Sequence, residues 1–215
     1  MDHHVLKDAM QNCGLIAILR GIRPDEVAAI GLALYKAGFR VIEVPLNSPQ
    51  PLDSIRILRA TLAADCVVGA GTVLSSAQVA EVKSAGGEII VMPHSDVKVI
   101  AAAKQAAMAC APGVATLTEA FAALAAGADA LKMFPAEQLS PVVVKAWRAV
   151  IPGEVALIPV GGITPANMAP FVAAGASGFG LGSALYKPGL GATQVGQNAN
   201  EFMAAWRATQ QQKAI

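Results

Sequence analysis

Charge is scarce in this sequence. Only 14% of its 215 residues are Asp, Glu, Lys or Arg, where soluble domains carry about 25%. Sixteen basic and fifteen acidic side chains nearly cancel, leaving +1. Without a basic surplus there is no electrostatic footprint for nucleic acid. Without blocks of like charge there are no charged tails. Cysteine is scarce too. Cys13, Cys66 and Cys110 are odd in number, far apart and form no C-x-x-C pair, so buried free thiols are expected rather than disulfides or a metal site. His3, His4 and His94 are poor metal candidates, since two of them sit at a terminus, where chains fray. The opening Met1-Asp2-His3-His4-Val5 lacks the apolar run of a signal peptide, and a cytoplasmic location is expected.

Apolar residues, in contrast, make up 54% of the chain. That fraction excludes disorder and predicts one domain over 1–215 with a large core. The charge-free stretch 155–186 is long enough to span a bilayer. It is interrupted by Pro159, Gly161, Gly162, Pro165, Pro170, Gly175, Gly178, Gly180 and Gly182, so it reads as buried strands and turns, not as a membrane helix.

A unit repeats eight times: a short apolar run, a turn, then an Ala-rich helical stretch. The predicted strands are 15–19, 40–44, 66–69, 88–92, 108–111, 130–133, 156–160 and 178–181. The predicted helices are 24–37, 49–62, 75–85, 96–107, 117–126, 140–150, 165–174 and 192–209, with a short N-terminal helix before the first strand. Pro24 and Pro165 suit first helical turns, and Ser48 and Thr164 precede prolines as N-caps. Gly38, Gly86, Gly127 and Gly175 each follow an alanine as C-terminal glycines. Alternating strands and helices predict an α/β fold with a parallel sheet. Eight uninterrupted units predict a (β/α)8 TIM barrel, with a doubly wound open sheet as the alternative.

In such barrels chemistry sits at the C-terminal strand ends. Two charges interrupt apolar strands there: Glu43 in Val41-Ile42-Glu43-Val44 and Lys132 in Ala130-Leu131-Lys132-Met133. Alternation puts the bulky neighbours on the helix-facing side and both charges inward. A structural ion pair would fit that spacing. So would chemistry, because a desolvated lysine has a lowered pKa and can attack a ketone, while a nearby carboxylate moves protons. The glycine-rich turns Gly161-Gly162-Ile163-Thr164 and Gly180-Leu181-Gly182-Ser183, read as opening helices, are candidates for a phosphate cradle of backbone N–H groups. Arg20 can hold a carboxylate or lie on the surface. Thr72 can orient a substrate group or cap a helix. Pro93 and Pro112 shape the cavity, Asn47 can read a sugar hydroxyl, and Trp147 and Trp206 are packing residues.

Together these segments resemble a known family. Leu-Arg-Gly-Ile, Val-Ile-Glu-Val-Pro-Leu-Asn-Ser-Pro, Val-Gly-Ala-Gly-Thr-Val-Leu, Ala-Pro-Gly, Leu-Lys-Met-Phe-Pro-Ala-Glu and Pro-Val-Gly-Gly-Ile occur in order at successive strand ends. They resemble the aldolases of 2-dehydro-3-deoxy-phosphosugar acids, from about residue 15 to 186. Asn47, Arg20 and Val160 look like the branch acting on the 6-phosphogalactonate epimer. His94 departs from both branch patterns. The resemblance implies that Lys132 forms a Schiff base and Glu43 shuttles protons. It implies that Arg20, Thr72 and Lys132 contact the pyruvyl half, and that Gly161, Gly162, Gly182 and Ser183 hold the phosphate. The expected products are pyruvate and D-glyceraldehyde 3-phosphate. No metal or cofactor is implied, because the imine is the electron sink, and a homotrimer is expected. The alternatives are the gluconate epimer, a phosphate-binding barrel isomerase or epimerase, and a noncatalytic sugar-phosphate binder.

Overall fold

A computed structural model describes residues 4–213; His3 lies outside them. The chain runs α1 (His4–Asn12), β1 (Leu15–Ile18), α2 (Pro24–Ala37), β2 (Val41–Pro45), α3 (Pro51–Thr61), β3 (Val67–Gly71), α4 (Ser76–Ser84), β4 (Ile89–Val91), α5 (Val97–Gln105) and β5 (Ala109–Ala111). It continues through β6 (Gly113–Val114), α6 (Leu117–Ala125), β7 (Ala130–Met133), α7 (Pro141–Arg148), β8 (Ala156–Pro159), a 3-10 turn (Pro165–Asn167), α8 (Met168–Ala173), β9 (Phe179–Leu181) and α9 (Ala192–Lys213). The alternation read from the sequence is therefore present, and every strand pairing is parallel.

The helices follow local rules. In α2, Pro24 opens the first turn, Val27, Ile30, Gly31 and Leu34 form one buried stripe, and Gly38 ends the helix at φ +115°. A side chain at Gly31 would overlap Leu58 of α3, so that glycine permits close helix packing. Gly86, Gly127 and Gly175 likewise have positive φ, as their place after Ala predicts. Helix α3 starts two residues later than expected. Gln50 is its N-cap and Pro51 its first residue, while the Ser48 hydroxyl accepts from the Gly21 N–H at 2.9 Å instead of capping.

The strands lie in two sheets, ordered β5-β4-β3-β2-β1-β9 and β6-β7-β8, rather than as eight single strands. The fifth unit is split at Pro112, which has no N–H for the ladder. Its carbonyl still accepts from the Lys132 N–H at 2.9 Å. The far edges meet at a single parallel bridge, Val160 to Gly180.

Each sheet has two faces and each face has its own core. Outward residues such as Ile42, Val44, Leu131 and Met133 join the large cluster under the helices. Inward residues such as Ile16, Val41, Val67, Ile89 and Ile158 form a second cluster, into which α1 inserts Leu6 and Ala9. Burying each such aliphatic side chain contributes about 1.5–3 kcal/mol. Trp147 and Trp206 are buried packing residues, and all three cysteines are free and buried. Among the described residues no helix is long and apolar enough to cross a membrane. The charge-free stretch folds as β8, a 3-10 turn, α8 and β9.

Candidate active site

Alternation along β2 and β7 decides where the two strand charges point. Glu43 lies on the same face as Val41, and Lys132 on the same face as Ala130, both members of the inner cluster. Glu43 is 1% exposed and Lys132 6%. They line one cavity, whose remaining walls are aliphatic side chains and Gly180. The Phe134 ring centroid stands 4.9 Å from Lys132 Nζ.

This setting changes both groups. Burial lifts the Glu43 carboxyl from its ordinary 4.5 to about 7; the positive charges of Lys132 and Arg20 and a Gly71 backbone hydrogen bond oppose the rise. Burial pushes the Lys132 ammonium down, with Glu43 opposing and Arg20 assisting. Glu43 Oε2 is buried with no hydrogen-bond partner. In a folded protein such an atom carries a desolvation cost that a substrate proton would relieve. Gly71 is required beside it, because any side chain there would overlap the carboxylate.

Above the pair, three loops converge. Arg20 Nη1 donates to Asn47 Oδ1 at 2.7 Å and to Thr72 Oγ1 at 3.4 Å. Thr72 has φ +55°, an uncommon conformation for a β-branched residue. Pro93 is half-buried at the end of β4, and a side chain at Gly113 would meet its backbone at 2.6 Å. His94 is exposed beside it, and its carbonyl accepts from the Gly113 N–H at 3.1 Å.

The two glycine turns follow neighbouring strand ends, joined by the Val160–Gly180 bridge. Gly161 and Gly162 have φ +113° and +62°, so only glycine adopts them without strain. The first turn leads into the 3-10 turn and α8, with Asn167 Oδ1 accepting from Thr164 N–H at 2.9 Å. The second opens no helix, contrary to expectation. Gly182, Ser183, Ala184 and Leu185 form a turn closed by Leu185 N–H on Gly182 O at 2.9 Å, and α9 starts only at Ala192, after Pro188, Gly189 and Gly191. A donor set at that turn therefore comes from loop backbone and the Ser183 hydroxyl.

One residue beside these turns has no role in the sequence reading. Side chains added at Gly161 or Gly162 would run into Glu137, an exposed carboxylate in the loop after β7. Its closeness to Lys132 in sequence was the available signal. Ser48, expected as an N-cap, instead ties the loop after β2 to Gly21. Among the described residues no group of three His, Cys, Asp or Glu side chains is placed to hold a metal ion.

The model of the KDPG and KHG aldolase family matches residues 6–197. A probable 2-dehydro-3-deoxy-6-phosphogalactonate aldolase of Rhizobium meliloti (strain 1021) is 47% identical over 194 residues, covering 90% of this chain and 92% of that protein. The 2-dehydro-3-deoxy-6-phosphogalactonate aldolase of Escherichia coli (strain K12) is 46% identical over 193 residues, 90% of this chain and 94% of that one. A solved structure described as native KDPGal superposes with a TM-score of 0.90 at 45% identity, covering 92% of this chain and 96% of the other.

Proposed function

The chain belongs to the KDPG and KHG aldolase family, and from that premise we propose that it cleaves 2-dehydro-3-deoxy-6-phosphogalactonate to pyruvate and D-glyceraldehyde 3-phosphate through a Schiff base on Lys132. The carrying observation is that Lys132 and Glu43 are the two ionisable side chains in an otherwise aliphatic cavity.

The chemistry follows from that environment. Lowered in pKa, the Lys132 amine attacks the carbon-2 ketone. Loss of water from the carbinolamine leaves an iminium, with Glu43 supplying the proton to the departing hydroxyl. Glu43 then takes the proton of the carbon-4 hydroxyl as the C3–C4 bond breaks. Those electrons move into the iminium as an enamine, and D-glyceraldehyde 3-phosphate leaves. Protonation of the enamine at carbon 3 and hydrolysis release pyruvate and restore the amine. A carboxyl titrating at about 7 suits this work, because it gives and takes protons near neutral pH. Arg20 and Thr72 take the substrate carboxylate, Pro93 forms part of the wall, and Gly161, Gly162, Gly182 and Ser183 hold the phosphate through backbone N–H groups and a hydroxyl.

The finer architecture belongs to the same reading. Sheet continuity through Pro112 and the bridge at Val160 support closure of the eight units into one (β/α)8 domain. A homotrimer in the cytoplasm is proposed with it; exposed apolar side chains such as Val142, Leu74 and Phe121 are available for subunit contact, and sedimentation would give the subunit number. Incubation with pyruvate and borohydride is expected to label Lys132 covalently; unmodified protein would overturn the Schiff-base assignment. Cleavage rates on the two carbon-4 epimers decide between galactonate and gluconate preference.

A further inference from the structure

We propose that Asn47 is a positioning residue: it aims the Arg20 guanidinium at the substrate carboxylate and does not read a sugar hydroxyl. The inference rests on the aldolase reading above.

Arg20 follows β1 at a sharp turn. Gly21 has φ +83°, and a side chain there would meet Pro188 at 2.7 Å. Its N–H is bonded to the buried Ser48 hydroxyl at 2.9 Å, while Ser48 N–H closes a turn on Pro45 O at 2.9 Å. The loops after β1 and β2 are thereby locked together, which places Asn47 beside Arg20. The amide oxygen takes Nη1 at 2.7 Å, and the Thr72 hydroxyl lies 3.4 Å from the same nitrogen. A positive φ is unfavourable for a β-branched residue, yet here that conformation presents the Thr72 hydroxyl to Arg20.

These contacts occupy one corner of the guanidinium. The Nε and Nη2 donors make no hydrogen bond among the described residues, and that edge is the fork that binds a carboxylate with two parallel bonds. An amide suits the task because it accepts from arginine without adding a negative charge. A carboxylate at position 47 would hold the same geometry but weaken the attraction for an anionic substrate. With its oxygen held by Arg20 at 2.7 Å, the orientation of the amide is set by the guanidinium rather than by carbon 4.

Asn47 is exposed, so its variants are expected to fold. In Asn47→Ala, loss of the hydrogen bond from the Arg20 guanidinium should raise the KM for the sugar acid about tenfold or more, with kcat within about threefold. The pyruvate concentration for half-maximal borohydride labelling should rise in parallel. The ratio of kcat/KM between the carbon-4 epimers should stay put, because both share the carboxylate. Asn47→Asp should raise KM further. In an Arg20→Ala background, Asn47→Ala should add almost nothing, as expected for two residues acting as a unit. A changed epimer ratio, or a full additional loss in that background, would overturn the proposal. Wild type that takes no label overturns the aldolase reading and this inference with it. Labelled wild type beside an unaltered Asn47→Ala overturns this inference alone.

Discussion

The two ends of the strands use the few charges of this protein in opposite ways. At the N-terminal ends one arrangement is built three times. A basic residue late in one helix reaches a glycine turn and an acceptor two residues beyond it, and that acceptor also takes a strand N–H. Arg59 bonds Glu88 at 2.7 Å, and Glu88 Oε2 accepts from Val68 N–H at 3.3 Å. Lys104 bonds Asp129 at 2.6 Å, and Asp129 Oδ2 accepts from Cys110 N–H at 2.8 Å. Arg148 bonds the Ser177 hydroxyl at 2.9 Å, which lies 3.3 Å from Leu157 N–H. The basic stems pack over the glycines between, at 3.3 Å from a Cβ on Gly86, 3.2 Å on Gly127 and 2.7 Å on Gly175. These groups keep access to water and have partners. At the C-terminal ends, Glu43 and Lys132 are desolvated, and one Glu43 oxygen has no partner. Paired charge at the water-accessible end serves stability; desolvated and unpartnered polar groups store free energy that a reaction can use.

If that contrast holds, substitutions at the two ends should separate activity from stability. Lys132→Met should lose at least about a thousandfold in turnover, as expected for a missing covalent nucleophile. It should also raise the melting temperature by roughly 2–8 °C, since an apolar side chain replaces a buried amine and Glu43 remains protonated. A lower melting temperature in calorimetry would remove the stored-strain half of the comparison. Glu43→Gln should lower kcat about 10²–10⁴-fold and remove the ionisation near 7 from the pH–rate profile.

The same variant tests the sign of the linkage. Folded Glu43 holds its proton up to about 7, against an ordinary 4.5, so the folded state binds more protons in that window and stability falls as pH rises through it. Wild type should show this decline between pH 4.5 and 7, and Glu43→Gln should not. Asp129→Ala removes one partner of a partly buried pair and a strand-end acceptor. It should destabilise by about 2–3 kcal/mol with kcat within about twofold, measured by urea unfolding beside a turnover assay. Gly127→Ala, at φ +96°, should cost about 1 kcal/mol or more and leave kcat alone; an equal loss of activity would blur the division between the ends.

Much of this was legible in the linear pattern because its causes are local. Gly38, Gly86, Gly127 and Gly175 end helices where their place after alanine says they must. Inward Glu43 and Lys132 follow from a period of two in an apolar strand. The misreadings have non-local causes. The short strand Gly113–Val114 lay outside the predicted strands, because its pairing with β7 is what makes it one. Ser48 sits before a proline like an N-cap, yet its hydroxyl is taken by Gly21, distant in sequence. The turn at Gly182 resembles the one at Gly162, but the chain after it meets Pro188 and Gly189 before a helix can start. Glu137 reaches the glycine turn only because the loops after β7 and β8 are neighbours: Ala136 N–H donates to Val160 O at 2.8 Å.

By itself the sequence determined the α/β alternation, the two inward charges and the family, since each is written in spacing or in ordered motifs along the chain. Only the tertiary structure decided how those charges behave and what serves them. The rise of the Glu43 carboxyl to about 7 comes from aliphatic walls contributed by strands far apart in sequence. The aim of Arg20 comes from three loops that meet only when the strands stand side by side. Desolvation and hydrogen-bond direction are properties of surroundings, and the fold assembles those surroundings from distant residues.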